Sequence, residues 1–231
     1  RNARKTIFTL GTCFENLKFR HRVLLFLSRT FFSNFVCCSE AVYRSIPEWF
    51  QSANMSVIRH GINLKRVHSG RKSNVIFVAT RIIRQKNIDS IIRGFAGSSH
   101  LHSYKLVVAG EGNMRVELQD FVKNLDLADR VEFLGTLPRA EVLLRMSESR
   151  FYISASESDG MPIAVLEAVA SGSIPLLLKT SPHLEVLNQG IHGFSFCDMK
   201  NDIANLIGEV TGYDKKELDK QSKANIEISN Q

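Results

Sequence analysis

A chain of 231 residues with 44% hydrophobic side chains can hold one large domain or two small ones around a sizeable core, and that content excludes a disordered chain. Its net charge of +7 is uneven: residues 1–72 carry 13 Lys and Arg against Glu15, Glu40 and Glu48, whereas residues 73–231 carry 17 against 20 acids. The five Pro and 14 Gly form no low-complexity tract and no repeat period is present, which excludes fibrous and solenoid arrays.

In chain order, the front part predicts a strand over 6–10, a helix, a strand over 35–39, a helix over 40–50 and a strand over 56–59. That is too little for an independent Rossmann-like domain, so residues 1–64 read as a partial domain. In the first helix Lys18, Arg20, Arg22 and Arg29 accompany Phe19, Val23, Leu24, Leu27 and Phe31 at helical spacing. A basic amphipathic helix of this kind suits either an anionic membrane surface or the solvated face of a domain. No nucleic-acid module accompanies the basic residues, which disfavours that partner. The apolar run over 23–27 is too short to span a bilayer. Cys13, Cys37, Cys38 and Cys197 lack C-x-x-C spacing and are expected as buried free thiols in a reducing cytoplasm, with Cys37 and Cys38 on opposite faces of a strand. The chain begins at Arg1 rather than Met, so the natural N-terminus is expected upstream. Residues 62–73, with Asn63, Ser69 and Gly70, read as a linker.

Behind the linker, strands are predicted over 75–79, 105–109, 131–134, 151–154, 174–178 and 193–196. Helices are predicted between them over 87–97, 113–125, 139–147, 162–171 and 182–188, with another over 200–210. Continuous apolar strands alternating with helices predict a doubly wound parallel sheet over 65–212. Residues 213–231 read as a tail or helix. Ligands of such sheets lie at the carboxyl ends of the strands, and four strand ends carry candidate residues.

After the first strand, Arg81 and Lys86 bracket a loop that leads into a helix. Cations there oppose the helix macrodipole, so either a bound diphosphate explains them or they are solvated surface charges. After the second, Gly110 and Gly112 allow a tight turn or a close backbone approach. A dinucleotide fingerprint is disfavoured, since Arg115 stands where its third glycine would fall and the first turn has none. After the third, Gly135 either passes a base or turns the chain. After the fourth, Ser154 and Ser156 lead to Asp159-Gly160-Met161-Pro162. Pro162 at a helix start leaves the preceding backbone N–H groups available to a phosphate or sugar oxygen. Between Asp159 and Lys179 the sole charge is Glu167, in a segment otherwise suited to burial. A carboxylate there costs several kcal/mol unless a polar group meets it, on the order given by buried-charge penalties. Either a structural partner or a hydroxylated ligand is required.

Taken in order, these residues resemble the retaining GT-B glycosyltransferases of the "glycosyl transferases group one" family. The matching motifs are Arg81…Lys86, Gly110-Glu-Gly112, Val131-Glu-Phe-Leu-Gly135, Asp159-x7-Glu167 and Glu185-Val-Leu…Gly190…Gly193-Phe. Val36-Cys-Cys-Ser39-Glu40 and Val57-Ile-Arg-His60-Gly61-Ile62-Asn63 resemble the end of the family's N-terminal domain. The resemblance covers about residues 70–210 of the sequence-readable pattern. It implies transfer of a hexose from a nucleotide diphosphate sugar to an acceptor hydroxyl, with retention. It implies that Arg81 and Lys86 neutralise the departing diphosphate and that Glu167 accepts hydrogen bonds from ribose. Asp159, where the family usually has Glu, would hold the donor hexose, Gly160 and Met161 would face sugar or phosphate, and Gly110, Gly112 and Gly135 would line the donor site. No metal or cofactor is implied. The acceptor would be a saccharide or a lipid-linked glycan, and the location cytoplasmic, peripheral at a membrane. Two departures are expected to matter: part of the N-terminal domain is absent, and Gly11 stands where many relatives carry a His. The alternatives are a sugar-nucleotide epimerase, a catalytically inactive donor-binding domain, and an α/β interaction domain without nucleotide affinity.

Overall fold

The computed structural model describes residues 7–14, 19–32, 34–51, 54–62, 72–98, 103–197 and 202–229. They fall into two compact units, Arg1–Gly61 with Ser158–Pro162, and Ile62–Glu157 with Ile163–Gln231. Lys18 and the linker residues Asn63, Ser69 and Gly70 lie outside the described residues.

The first unit is a three-stranded parallel sheet in the order β1-β2-β3, formed by β1 (Ile7–Leu10), β2 (Asn34–Cys37) and β3 (Met55–Val57). Helix α1 (Phe19–Phe31) joins the first two strands and α2 (Glu40–Ser45) the last two. β2 stops before the expected end because Ser39 is the N-cap of α2, its Oγ accepting from Val42 N at 3.1 Å. α2 stops at Ser45, well short of position 50, because Ile46 precedes Pro47 and takes the extended backbone that proline imposes on its predecessor (φ −71°, ψ 130°). In α1 Leu25 and Ser28 are buried, while Val23, Leu24, Phe26, Leu27 and Phe31 are exposed. The apolar side chains expected on its covered face therefore mostly stand in solvent.

The thiols divide. Cys37 and Cys38 are buried in one apolar cluster, Cys13 is half-buried, and Cys197 is exposed, which corrects the expectation of four buried thiols. β2 ends at Cys37, so Cys38 is not its alternating neighbour on a strand. Burial, then Cys38 and Glu40, raises the Cys37 thiol to about 11.

The second unit holds a six-stranded parallel sheet, in the order β6-β5-β4-β7-β8-β9. Its strands are β4 (Ser73–Ala79), β5 (Lys105–Ala109), β6 (Val131–Gly135), β7 (Ser149–Ser154), β8 (Ile174–Leu178) and β9 (Phe194–Phe196). Side chains alternate across the sheet. On one face Ile76, Val78, Leu106 and Ile153 pack with α3 (Ile88–Gly97), α4 (Arg115–Asn124) and α8 (Asp202–Thr211). On the other, Phe77, Tyr152 and Leu177 pack with α5 (Arg139–Glu148), α6 (Ile163–Ala170) and α7 (Ser181–Leu187). Burial on both faces explains why these strands read as unbroken apolar runs.

Residues past the sheet form α9 (Lys215–Ser229). Ser222 Oγ donates to Gly172 O at 2.6 Å, Asn225 exchanges two hydrogen bonds of 2.8 Å with the His192 backbone, and Asp219 pairs with Arg150 at 2.9 Å. The strand order reverses between β4 and β7, because the chain builds outward to β6 and then crosses back through α5. That reversal is where a doubly wound sheet opens a crevice at its carboxyl edge. Among the described residues no helix is long and apolar enough to cross a membrane.

Candidate functional site

Two loops meet at the reversal point. The chain leaving β4 forms a 3-10 turn over Arg84–Lys86 and enters α3 through Asn87, a left-handed residue at φ 49°, a conformation that Asn tolerates better than most side chains. The chain leaving β7 runs beside it. Lys86 Nζ donates to Ser156 Oγ at 2.9 Å, Asn87 Nδ2 to Ala155 O at 3.0 Å, and Glu157 N to Gln85 O at 3.3 Å. Lys86 is therefore built into the edge and half-buried, while Arg81 is exposed. Its position at a turn before a helix, which suggested a diphosphate, is occupied here by a hydroxyl partner.

The glycines have protein partners of their own. A Cβ at Gly110 would lie 1.8 Å from Thr80 O, and one at Gly112 would lie 2.1 Å from Ile82 O. The ladder continues past the strand ends at these points, with Thr80 N donating to Ala109 O at 3.0 Å and Ile82 N to Glu111 O at 2.8 Å. The close approach of one loop to the next thus accounts for both glycines. Gly135 adopts φ 73°, gives its carbonyl to Gly110 N at 2.7 Å, and lies against the Glu111–Arg115 ion pair. Arg115, which breaks the dinucleotide fingerprint, is held by that neighbouring acid.

Glu167 sits one turn into α6, where side chains lean back toward the start of the helix and so toward the carboxyl edge of the sheet. It is 9% exposed. Arg139 at the start of α5 meets it: Nε lies 2.9 Å and Nη2 2.7 Å from the same oxygen, Oε1. Oε2 accepts no hydrogen bond among the described residues. The requirement for a polar partner is met, on one of the two oxygens, by a residue that sequence reasoning missed. The one sequence signal was weak: Arg139 is a cation in a first helical turn, opposed by the macrodipole, which marks a poorly placed charge and names no partner for it.

Asp159, Gly160 and Met161 belong to the first unit. Ser39 Oγ donates to Gly160 O at 2.6 Å, and Cys13 Sγ to Asp159 O at 3.8 Å. A Cβ on Gly160 would fall 2.2 Å from Gly11 O, so glycine is required there by a passing backbone. Met161 packs against the apolar cluster of that unit. Around Gly11 itself, its chain neighbours apart, no heavy atom of the described residues lies within 4 Å of a Cβ position. No group of three or more His, Cys, Asp or Glu among the described residues could hold a metal ion.

The arrangement of loops and strand order matches known proteins. The sequence model of the family described as "Glycosyl transferases group 1" matches residues 62–225.

This chain belongs to the group 1 glycosyltransferases.

It is similar to alpha-monoglucosyldiacylglycerol synthase of Streptococcus pneumoniae, 30% identical over 172 residues that make up 66% of this chain and 38% of that protein. Among solved structures, TarM of S. aureus, crystallised with UDP, superposes with a TM-score of 0.81 at 14% identity over 96% of this chain and 46% of that one. HepE of Anabaena, in complex with UDP and glucose, superposes with a TM-score of 0.80 at 18% identity over 97% of this chain and 66% of that one. The group 1 chain therefore has the Rossmann-like half of a GT-B fold with a partial N-terminal sheet, and spans 38% of the length of that curated relative.

Proposed function

We propose that this group 1 chain is the donor-binding part of a glycosyltransferase that moves a hexose from a nucleotide diphosphate sugar to an acceptor hydroxyl with retention at the anomeric carbon. The observation that carries the reading is Glu167, a nearly buried carboxylate at the carboxyl edge of the sheet with one oxygen held by Arg139 and the other open to a hydroxyl donor. Ribose hydroxyls of the nucleotide supply that donor. In the reaction the bond from the anomeric carbon to the diphosphate oxygen breaks, a bond to the acceptor oxygen forms, and the acceptor proton leaves toward the departing diphosphate. Charge builds on that diphosphate, and Arg81 and Lys86 provide cations at the adjacent loop, in place of a metal ion. Lys86 would exchange part of its bond to Ser156 for phosphate oxygen. Asp159 would receive hexose hydroxyls, with Gly160 and Met161 beside the sugar, and Gly110, Gly112 and Gly135 would shape the wall near the base.

The acceptor is read as a saccharide or lipid-linked glycan, and the exposed apolar side chains of α1 on a basic front part favour work at an anionic membrane surface on the cytoplasmic side. Failure of the chain to co-sediment with anionic vesicles at low salt would remove that last element. A second reading, donor binding without turnover, is favoured by one observation: Gly11 offers no side chain at a place where no described residue beyond its chain neighbours comes within 4 Å of a Cβ position. Assay of the full-length protein, with labelled nucleotide sugars and NMR of the product anomer, decides between them. Labelled glycoside with the donor's anomeric configuration supports transfer with retention. Inverted product, free epimerised sugar nucleotide, or no product despite binding contradicts it.

A further inference from the structure

We infer that Arg139 is a positioning residue for nucleotide recognition, holding the Glu167 carboxylate by one oxygen so that the other meets the ribose hydroxyls. The inference rests on the donor-binding reading above and adds to it a residue outside every motif that led there.

The geometry is specific. Two N–H groups of one guanidinium converge on Oε1 at 2.9 and 2.7 Å, a pattern a lysine ammonium cannot reproduce from a fixed plane. Both contacts fall on one oxygen, so the lone pairs of Oε2 are left to accept. A guanidinium aligned with both oxygens would have taken one lone pair of each and left neither oxygen wholly to a ligand. Stability asks only that some cation meet the nearly buried carboxylate; it does not ask that both contacts fall on one oxygen. The Arg139 side chain is 63% exposed, and an exposed long side chain gains little from a single ion pair. It also stands in the first turn of α5, where its charge is opposed by the helix dipole. The Glu167 side chain, by contrast, is 12% exposed, so its orientation depends on whatever cation reaches it. Arg139 reaches it from the start of α5. Glu167 supplies the contact and Arg139 supplies the direction in which it is made.

The test is calorimetric titration of the 231-residue chain with UDP and GDP, each compared with its 2′,3′-dideoxy counterpart. For whichever base binds, the wild type is expected to prefer the ribose form by roughly tenfold or more, the scale of hydrogen bonds to a charged group. In Arg139→Met that preference collapses toward the value for Glu167→Gln, while affinity for the dideoxy nucleotide stays within about twofold, as for an unchanged contact set. Arg139→Lys, which restores charge without the fork, gives an intermediate preference. A purely structural role would lower affinity for both nucleotides together and leave the ratio intact. If Arg139→Met keeps the wild-type preference while Glu167→Gln loses it, the inference falls and the donor-binding reading stands. If the wild type itself shows no ribose preference, or binds neither base, both fall. Loss of folded circular dichroism in both Arg139 variants assigns the residue to structure and overturns the inference.

Discussion

Lys72 lies just before β4 with its Nζ donating to Ser171 O at 3.2 Å. Burial, reinforced by the charge of Arg150 and partly offset by Asp219, lowers it from 10.5 to about 7. Between those values the unfolded chain binds more protons than the folded one, so this residue makes stability rise with pH from about 7 toward 10.5. The cost is fully present below pH 7 and is on the order of a few kcal/mol. Lys72→Met should therefore raise the urea midpoint at pH 7 and flatten its rise between pH 7 and 9. Equal slopes in the two proteins would show that Lys72 titrates normally. Neither this burial nor the Arg139–Glu167 contact was legible in the sequence, for one reason. Both depend on which side chain a neighbouring element brings across. Glu167 stood out because it is the single charge in an apolar stretch, whereas Arg139 follows Pro138 in an ordinary polar turn. Gly110 and Gly112 stood out as a motif, but the Thr80 and Ile82 carbonyls that require them come from a different loop.

At the scale of elements, the strands of the large sheet were legible because burial on both faces leaves unbroken apolar runs; β5 and β8 begin and end at the expected residues. Other boundaries shifted by a few residues, as at the starts of β4 and β7, and in the small sheet two shifts have a local cause: the Ser39 cap shortened β2, and Pro47 ended α2. Helix α9 was ambiguous in sequence because its buried positions are Leu218, Ser222 and Asn225. Their spacing is helical, yet two of the three are polar, so hydrophobic periodicity is weak. Docking through hydrogen bonds leads to a specific expectation. Asn225→Ala removes both 2.8 Å bonds to His192 and leaves a backbone N–H and C=O of that residue without their partner. A loss of about 2–3 kcal/mol in unfolding free energy follows from the cost of such groups, read by urea denaturation. A change under about 0.5 kcal/mol, the scale of neutral surface substitutions, would mean that α9 contributes little to the unit it covers.

For the whole molecule, the parallel sheet reversing between β4 and β7 determines where a ligand belongs, and the clasp of Lys86 and Asn87 onto the segment after β7 marks that edge. This much followed from the alternation of strands and helices, and the ordered motifs pointed to the family that the match over residues 62–225 establishes. The nucleobase, the hexose and the acceptor were not legible, because selection among them depends on side chains distributed over several loops. The central claim is that Glu167 receives the ribose of a nucleotide diphosphate donor. Isothermal titration of wild type and Glu167→Ala with UDP and GDP tests it most directly: the account predicts saturable binding of one nucleotide by the wild type and at least roughly tenfold weaker binding by the variant. Equal affinity in the two proteins, or heat from neither nucleotide with the folded wild type, would contradict it.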